Sequence, residues 1–95
     1  MESLRNDISS ATKIIEYTTS VTVSANDMTS FTIPLTTPDG YNFGSLVNCC
    51  SSNANAVYAP TVDSISETQV YGFIQSHYGS ELTVTVHAFV LYIKN

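Results

Sequence analysis

The sequence predicts an all-β domain: a small antiparallel β-sandwich, jelly-roll-like, with six to seven strands and a short N-terminal segment. Three observations carry this. The first is the run Leu82-Thr83-Val84-Thr85-Val86-His87-Ala88-Phe89-Val90-Leu91-Tyr92-Ile93-Lys94. Strand side chains alternate between faces, so Leu82, Val84, Val86, Ala88, Val90 and Tyr92 share one face. Thr83, Thr85, His87, Phe89, Leu91 and Ile93 share the other. The second is that shorter runs with the same alternation recur between turn residues. The third is their regular spacing, which fits a two-sheet module and leaves no convincing helix beyond the N-terminus.

The elements follow in order. Met1, Leu4, Ile8, Ala11 and Ile15 have heptad spacing, so residues 1–11 form a candidate short stalk or a disordered terminus. Residues 12–95 form the single sandwich domain. In residues 14–25, Tyr17, Thr19, Val21 and Val23 fall on one face. Asn26-Asp27 supplies a turn, and Phe31, Ile33 and Leu35 alternate with polar residues in a second strand. These two strands are expected to pair as a hairpin. Pro34 cannot donate a ladder bond and belongs at an edge or a strand end.

Pro38-Asp39-Gly40 is a turn, followed by an aromatic segment, Tyr41-Asn42-Phe43-Gly44. Residues 45–51 read as a third strand. Residues 52–55 are a polar loop, residues 56–62 a short strand broken by Pro60, and residues 63–67 a turn. Residues 69–75 form another strand, with Val70, Gly72 and Ile74 opposite Tyr71 and Phe73. Residues 76–80 turn into the last strand. Its second face changes midway from Thr and His to Phe, Leu and Ile. In so small a domain, cover for that half is expected from another subunit, with His87, Phe89, Leu91 and Ile93 at the interface.

Composition narrows the function classes. A chain of 95 residues buries only roughly two-thirds of its unfolded surface, so partner chains are a natural source of stability. Cys49 and Cys50 are adjacent, point to opposite faces of a strand, and predict no intrachain disulfide. That fits a reducing compartment. Nothing basic adjoins them in the sequence to activate a thiol. His77 and His87 lie far from the cysteine pair, so no metal site and no cofactor are expected.

The net charge of −5, with Arg5, Lys13 and Lys94 the only basic residues, excludes a nucleic-acid footprint and disfavours anionic membranes. Ser, Thr and Asn make up about a third of the chain, while charged residues are 12%. Such a neutral, hydroxyl-rich surface suits neutral polar ligands such as glycans, and equally a plain solvated sheet. No run is apolar enough to insert in a membrane, and no secretory leader is visible.

Catalytic motifs are missing from the sequence: no G-x-S-x-G, phosphate loop, H-E-x-x-H or C-x-x-C occurs. The acids are scattered through expected loops rather than paired for glycoside hydrolysis. No catalytic residue is therefore assigned. His87 reads as a sheet histidine that could line a subunit axis or titrate as a switch. Asn53, Asn55, Tyr58, His77 and Tyr78 combine aromatic area with directional amides, a composition suited to recognition. They mark residues 52–58 and 76–80 as a candidate ligand-binding edge.

The stretches Tyr17-Thr18-Thr19-Ser20-Val21-Thr22-Val23-Ser24-Ala25-Asn26, Ser30-Phe31-Thr32-Ile33-Pro34 and Pro38-Asp39-Gly40-Tyr41 form a recognisable layout. Together with the closing strand they resemble C-terminal β-modules of bacteriophage tail-fibre and baseplate receptor-binding proteins. The resemblance covers roughly residues 12–95. It is one of layout rather than of a diagnostic motif, and it carries over no receptor-contact residue. It implies a virion protein assembled in the host cytoplasm, a homotrimer that binds a host surface saccharide or protein without catalysis. The adjacent cysteines and the short N-terminal part depart from the pattern. The alternatives are a structural capsid-decorating or tail-assembly protein, and an accessory domain of a cell-wall hydrolase.

Overall fold

The computed structural model of the protein describes residues 11–53 and 55–95. Of the expected stalk at 1–11, all but residue 11 lies outside the described residues. The strands are β1 (Thr12–Val23), β2 (Met28–Pro34), β3 (Tyr41–Ser51), β4 (Thr61–Ile65), β5 (Gln69–Gln75) and β6 (Leu82–Lys94). They form two three-stranded sheets, ordered β1-β6-β3 and β2-β5-β4, with every pairing antiparallel. The inner faces of both sheets meet in one apolar core, giving the small β-sandwich that the alternation predicts.

β6 is the centre of the first sheet. Val84, Val86, Ala88, Val90 and Tyr92 are buried completely or nearly so, all on the face assigned from the sequence. β1 pairs with β6 without interruption from Thr12↔Ile93 to Val23↔Leu82. This register sets Val21 and Val23 beside Val84 and Leu82, and Tyr17 and Ile15 beside Ala88 and Val90. β3 flanks the other side with bulges between Phe43 and Ser45 and between Leu46 and Asn48. The second sheet contributes Phe31 and Ile33 from β2 and Val70 and Ile74 from β5. Gly72 lies between them because a Cβ there would meet the Thr61 carbonyl oxygen at 2.2 Å and Phe31 Cζ at 2.9 Å.

Tyr92 carries a buried hydroxyl that needs a partner. Tyr17 Oη lies 2.7 Å from the Thr36 carbonyl oxygen and 2.7 Å from Tyr92 Oη. A carbonyl only accepts, so the single Tyr17 proton goes to Thr36 and the Tyr92 hydroxyl donates to Tyr17. The two rings meet edge-on at 6.5 Å, and Phe43 meets Tyr92 from the β3 side at 6.3 Å. Nearby, the Lys13 ammonium sits 4.9 Å from the centre of the Tyr41 ring.

Three local expectations are corrected. β1 and β2 do not form a hairpin: β1 pairs with β6 and β2 with β5. The turn at Ser24–Asp27, held by Asp27 N–H to the Ser24 carbonyl and by Asn26 in the left-handed region, passes the chain from one sheet to the other. Val21 and Val23 therefore share the core with Phe31 and Ile33 from opposite sheets. Residues 56–62 are not one strand. Val57 makes a single bridge to Ser76, Pro60 has no N–H to donate, and the ladder starts at Thr61 and runs through residues expected to turn. The aromatic segment 41–44 belongs to β3, paired from Tyr41↔Lys94 onward.

Tyr92 gives a pH prediction. Burial raises its pKa above the ordinary tyrosine value, and the hydrogen bond and charge interaction with Tyr17 push it the same way. A folded-state pKa above the unfolded value of about 10 leaves stability unaffected below that pH and erodes it as pH rises beyond. Urea denaturation should give a flat stability up to about pH 9 and a decline above it. Tyr92→Phe should lose about 1 kcal/mol at neutral pH through the missing hydrogen bond, and its alkaline decline should be shallower.

Candidate functional site

Two surfaces are candidates. The first is a corner at the end of the sandwich where β1 finishes and β6 begins. Residues 24–28, 52–53, 55–58 and 76–80 converge there through backbone bonds. The Asn53 carbonyl accepts from Ala56 N–H at 2.9 Å and Val57 N–H at 3.3 Å, closing the first loop. Asn53 reaches this turn in the left-handed region, which asparagine tolerates. Tyr58 N–H donates to the Gln75 carbonyl and His77 N–H to the Ala56 carbonyl, each at 2.9 Å. Asn26 N–H donates to the Tyr78 carbonyl at 3.0 Å. The two loops proposed from the sequence are thus one structure, cross-linked over about twenty residues of chain.

Ser76 is the hub, and sequence reasoning missed it. It is buried. Its N–H donates to the Asp27 carbonyl at 2.8 Å, and its Oγ accepts Tyr78 N–H at 3.0 Å and donates to the Ala56 carbonyl at 3.5 Å. The signal was a serine two residues before a polar turn position, the pattern of a side-chain-closed turn.

On this base the Tyr58 and His77 rings lie 4.8 Å apart at a tilt of 56°. Tyr58 is 56% exposed and Tyr78 51% exposed, so both present aromatic surface to solvent. Asn55 is exposed on the same loop and Met28 is exposed at the start of β2. The corner therefore brings Tyr58 and His77 into contact, and ties Asn53 and Tyr78 to them through backbone. Asn55 lies alongside, with no side-chain bond to the others among the described residues.

The second surface is the outer face of the first sheet. On β6 it carries Thr83, Thr85, His87, Phe89, Leu91 and Ile93; on β1, the paired Thr22, Ser20, Thr18, Glu16, Ile14 and Thr12. The half nearer Ile93 is apolar: Ile14 is 58% exposed, Ile93 47%, and Phe89 and Leu91 are half-buried. Val47, at a β3 bulge, is exposed as well. The half nearer Thr83 is hydroxylic, with Thr22 Oγ1 and Thr83 Oγ1 3.0 Å apart. His87 stands at the boundary, its Nδ1 2.6 Å from Glu16 Oε2. Glu16 was not singled out from sequence, because only the β1–β6 register brings it to His87.

Both cysteines are free. Cys49 packs against the core, and burial, then the neighbouring Cys50, pushes its thiol pKa up. Residues 48–51 of β3, with Val57, Ala59 and Pro60, line a cleft of about 330 Å³. Among the described residues no three metal-ligating side chains cluster, and no helix is long and apolar enough to cross a membrane. Comparison with protein-family models, curated proteins and solved structures found no match.

Ser76→Ala tests the corner. It removes the acceptor for Tyr78 N–H in a buried setting and should cost about 1–2 kcal/mol by urea denaturation. Hydrogen exchange at Tyr78 N–H should accelerate by more than the global loss explains. Equal acceleration throughout the chain would place Ser76 in the core rather than in the corner.

Proposed function

We propose that the protein is a non-enzymatic virion adhesion module, of the phage tail-fibre or baseplate kind, that recognises a host surface saccharide or protein. The observation that carries this reading is the exposed Tyr58–His77 pair on a corner braced by backbone bonds. Rings held in place lose little freedom on binding, and flanking amides and hydroxyls supply directional bonds. The net charge of −5 disfavours nucleic acid, and the abundance of Ser, Thr and Asn suits uncharged polar ligands.

The layout of the two surfaces supports the same reading. The corner lies at the Leu82 end of β6 and the apolar patch around Leu91 and Ile93 lies toward the other end. Eleven residue steps separate Leu82 from Ile93, about 36 Å of extended strand. A homotrimer formed through Phe89, Leu91 and Ile93, with His87 at the rim, would leave three corners free. Shallow sites, each weak, then gain strength from being carried together on one particle.

A structural decorating or tail-assembly role rests on the same apolar half-face, which fits another virion protein as readily as a second copy. Two measurements separate the readings. Light scattering coupled to size exclusion should give about three times 10.3 kDa; a stable monomer removes the trimer and points to a heterologous partner. A glycan array should show binding that Tyr58→Ala and Tyr78→Ala each abolish with the melting curve unchanged. Binding unaffected by both substitutions removes the corner as the site, and a blank array favours the structural role.

A further inference from the structure

The sandwich is closed along one side and open along the other. β1 packs against β2, whereas β3 and β4, which end the two sheets on the opposite side, make no comparable contact. Leu46 and Cys49 of β3 and Val62 of β4 pack against the core yet stay only half-buried, so the core reaches solvent there. Ser52 N–H donates to the Thr85 carbonyl at 2.9 Å, which fixes the phase of the β3 ladder. In an antiparallel ladder, alternate residues turn their backbone groups toward the partner strand and the rest turn theirs away. Asn48 and Cys50 therefore face β6, and Cys49 and Ser51 direct N–H and C=O to the free edge. Nothing among the described residues bonds those four groups.

The cleft of about 330 Å³ lies against this stretch, with residues 48–51 on one wall and Val57, Ala59 and Pro60 on the other. Its lining carries no charge. β3 as a whole has no charged residue and no proline, two of the devices that keep a free edge from pairing. The other free edges have them: Lys13 and Glu16 on β1, Pro34 on β2, and Asp63 with a bulge on β4. The bulges of β3 guard its half nearer Tyr41 and leave residues 48–51 in regular register.

We infer that the cleft takes an extended peptide segment of a partner protein, which joins β3 as a fourth strand of the first sheet. The segment's backbone supplies the donors and acceptors that Cys49 and Ser51 lack. Strand alternation sets its side chains: one row faces inward, onto Cys49 and Val57, and the other faces solvent. The inward row is apolar, because a charge set there would be desolvated without a partner. The far wall decides between a single chain and a second copy of this protein. The volume is at the low end of the range for ligand pockets, and a second copy would bring its own β3 edge with its own wall at residues 57–60. The inference stands apart from the corner and from the trimer, since it uses neither the Tyr58–His77 rings nor the apolar outer half-face.

The test is selection of a displayed library of random linear peptides against the full chain, with Ser51→Pro as the counter-target. Ser51 N–H makes no ladder bond, so proline there removes an edge donor while the pairing with β6 stays intact. Enriched peptides should alternate apolar and polar residues and carry no charge in the apolar row. A synthetic copy of the most enriched peptide should slow hydrogen exchange at Cys49 and Ser51 N–H about tenfold or more. The edges of β1, β2 and β4 should exchange as before. N-methylation of the peptide at the alternate residues that face β3 should weaken binding about tenfold, and methylation in the other phase should change it little. These two peptides test the edge on the unaltered chain should Ser51→Pro fail to fold. No enrichment over the counter-target, indifference to the methylated phase, or protection at another edge would overturn the assignment. So would a doubled molar mass without peptide in which Cys49 and Ser51 N–H are already protected, since that gives the edge to a second copy.

Discussion

The strict two-residue alternation of β6 is the constraint on which the rest of the molecule depends. It is the only strand of the first sheet with neighbours on both sides, and its inward row forms the floor of the core. A shift of one residue would send Val84 to Tyr92 into solvent and bring Thr85 and His87 inside. Several contacts oppose such a slip. The Tyr92–Tyr17–Thr36 hydroxyl relay joins β6, β1 and the segment after β2, and Phe43 holds the same ring from β3. The alternation that buries one row necessarily displays the other, so the apolar outer half-face follows from the same arrangement that makes the core.

The corner obeys a different physics. Val57 and Ala56 anchor it to the core, and its outer part is shaped by backbone hydrogen bonds around Ser76. Such a network spans residues far apart in sequence without demanding particular side chains at its rim. Tyr58, His77 and Tyr78 can therefore change chemically while the frame beneath them stays in place. That separation of frame from contact surface is what a recognition site on a small domain requires.

Legibility followed the range of the interactions. The two faces of β6, the limits of β5 and the inward set of β1 depend on local alternation and could be read directly. Composition marked residues 52–58 and 76–80 as polar loops with aromatics, but their convergence depends on bonds about twenty residues apart, such as the Val57–Ser76 bridge. The hairpin between β1 and β2 was misread: a turn with hydrophobic runs on either side also describes a chain crossing between sheets. The choice was made by β6, whose long alternating run offers β1 a twelve-residue partner. The strand around Tyr58 was displaced because Pro60 interrupts it, and β4 found its ladder beyond the proline.

The pairing of β1 with β6 joins the first described strand to the last. Sheet closure must bring together residues about sixty to eighty positions apart, so the loss of chain entropy precedes much of the stabilisation. β3 has the same dependence, because its ladder partner is also β6. Until residues 82–94 have left the ribosome, neither flank of the first sheet has anything to pair with, and the valines of β1 remain uncovered. Only the β2-β5-β4 sheet can assemble earlier, from contacts closer in sequence. The chain is therefore expected to acquire its cooperative structure late and all at once, and its incomplete forms to be the species most prone to aggregate.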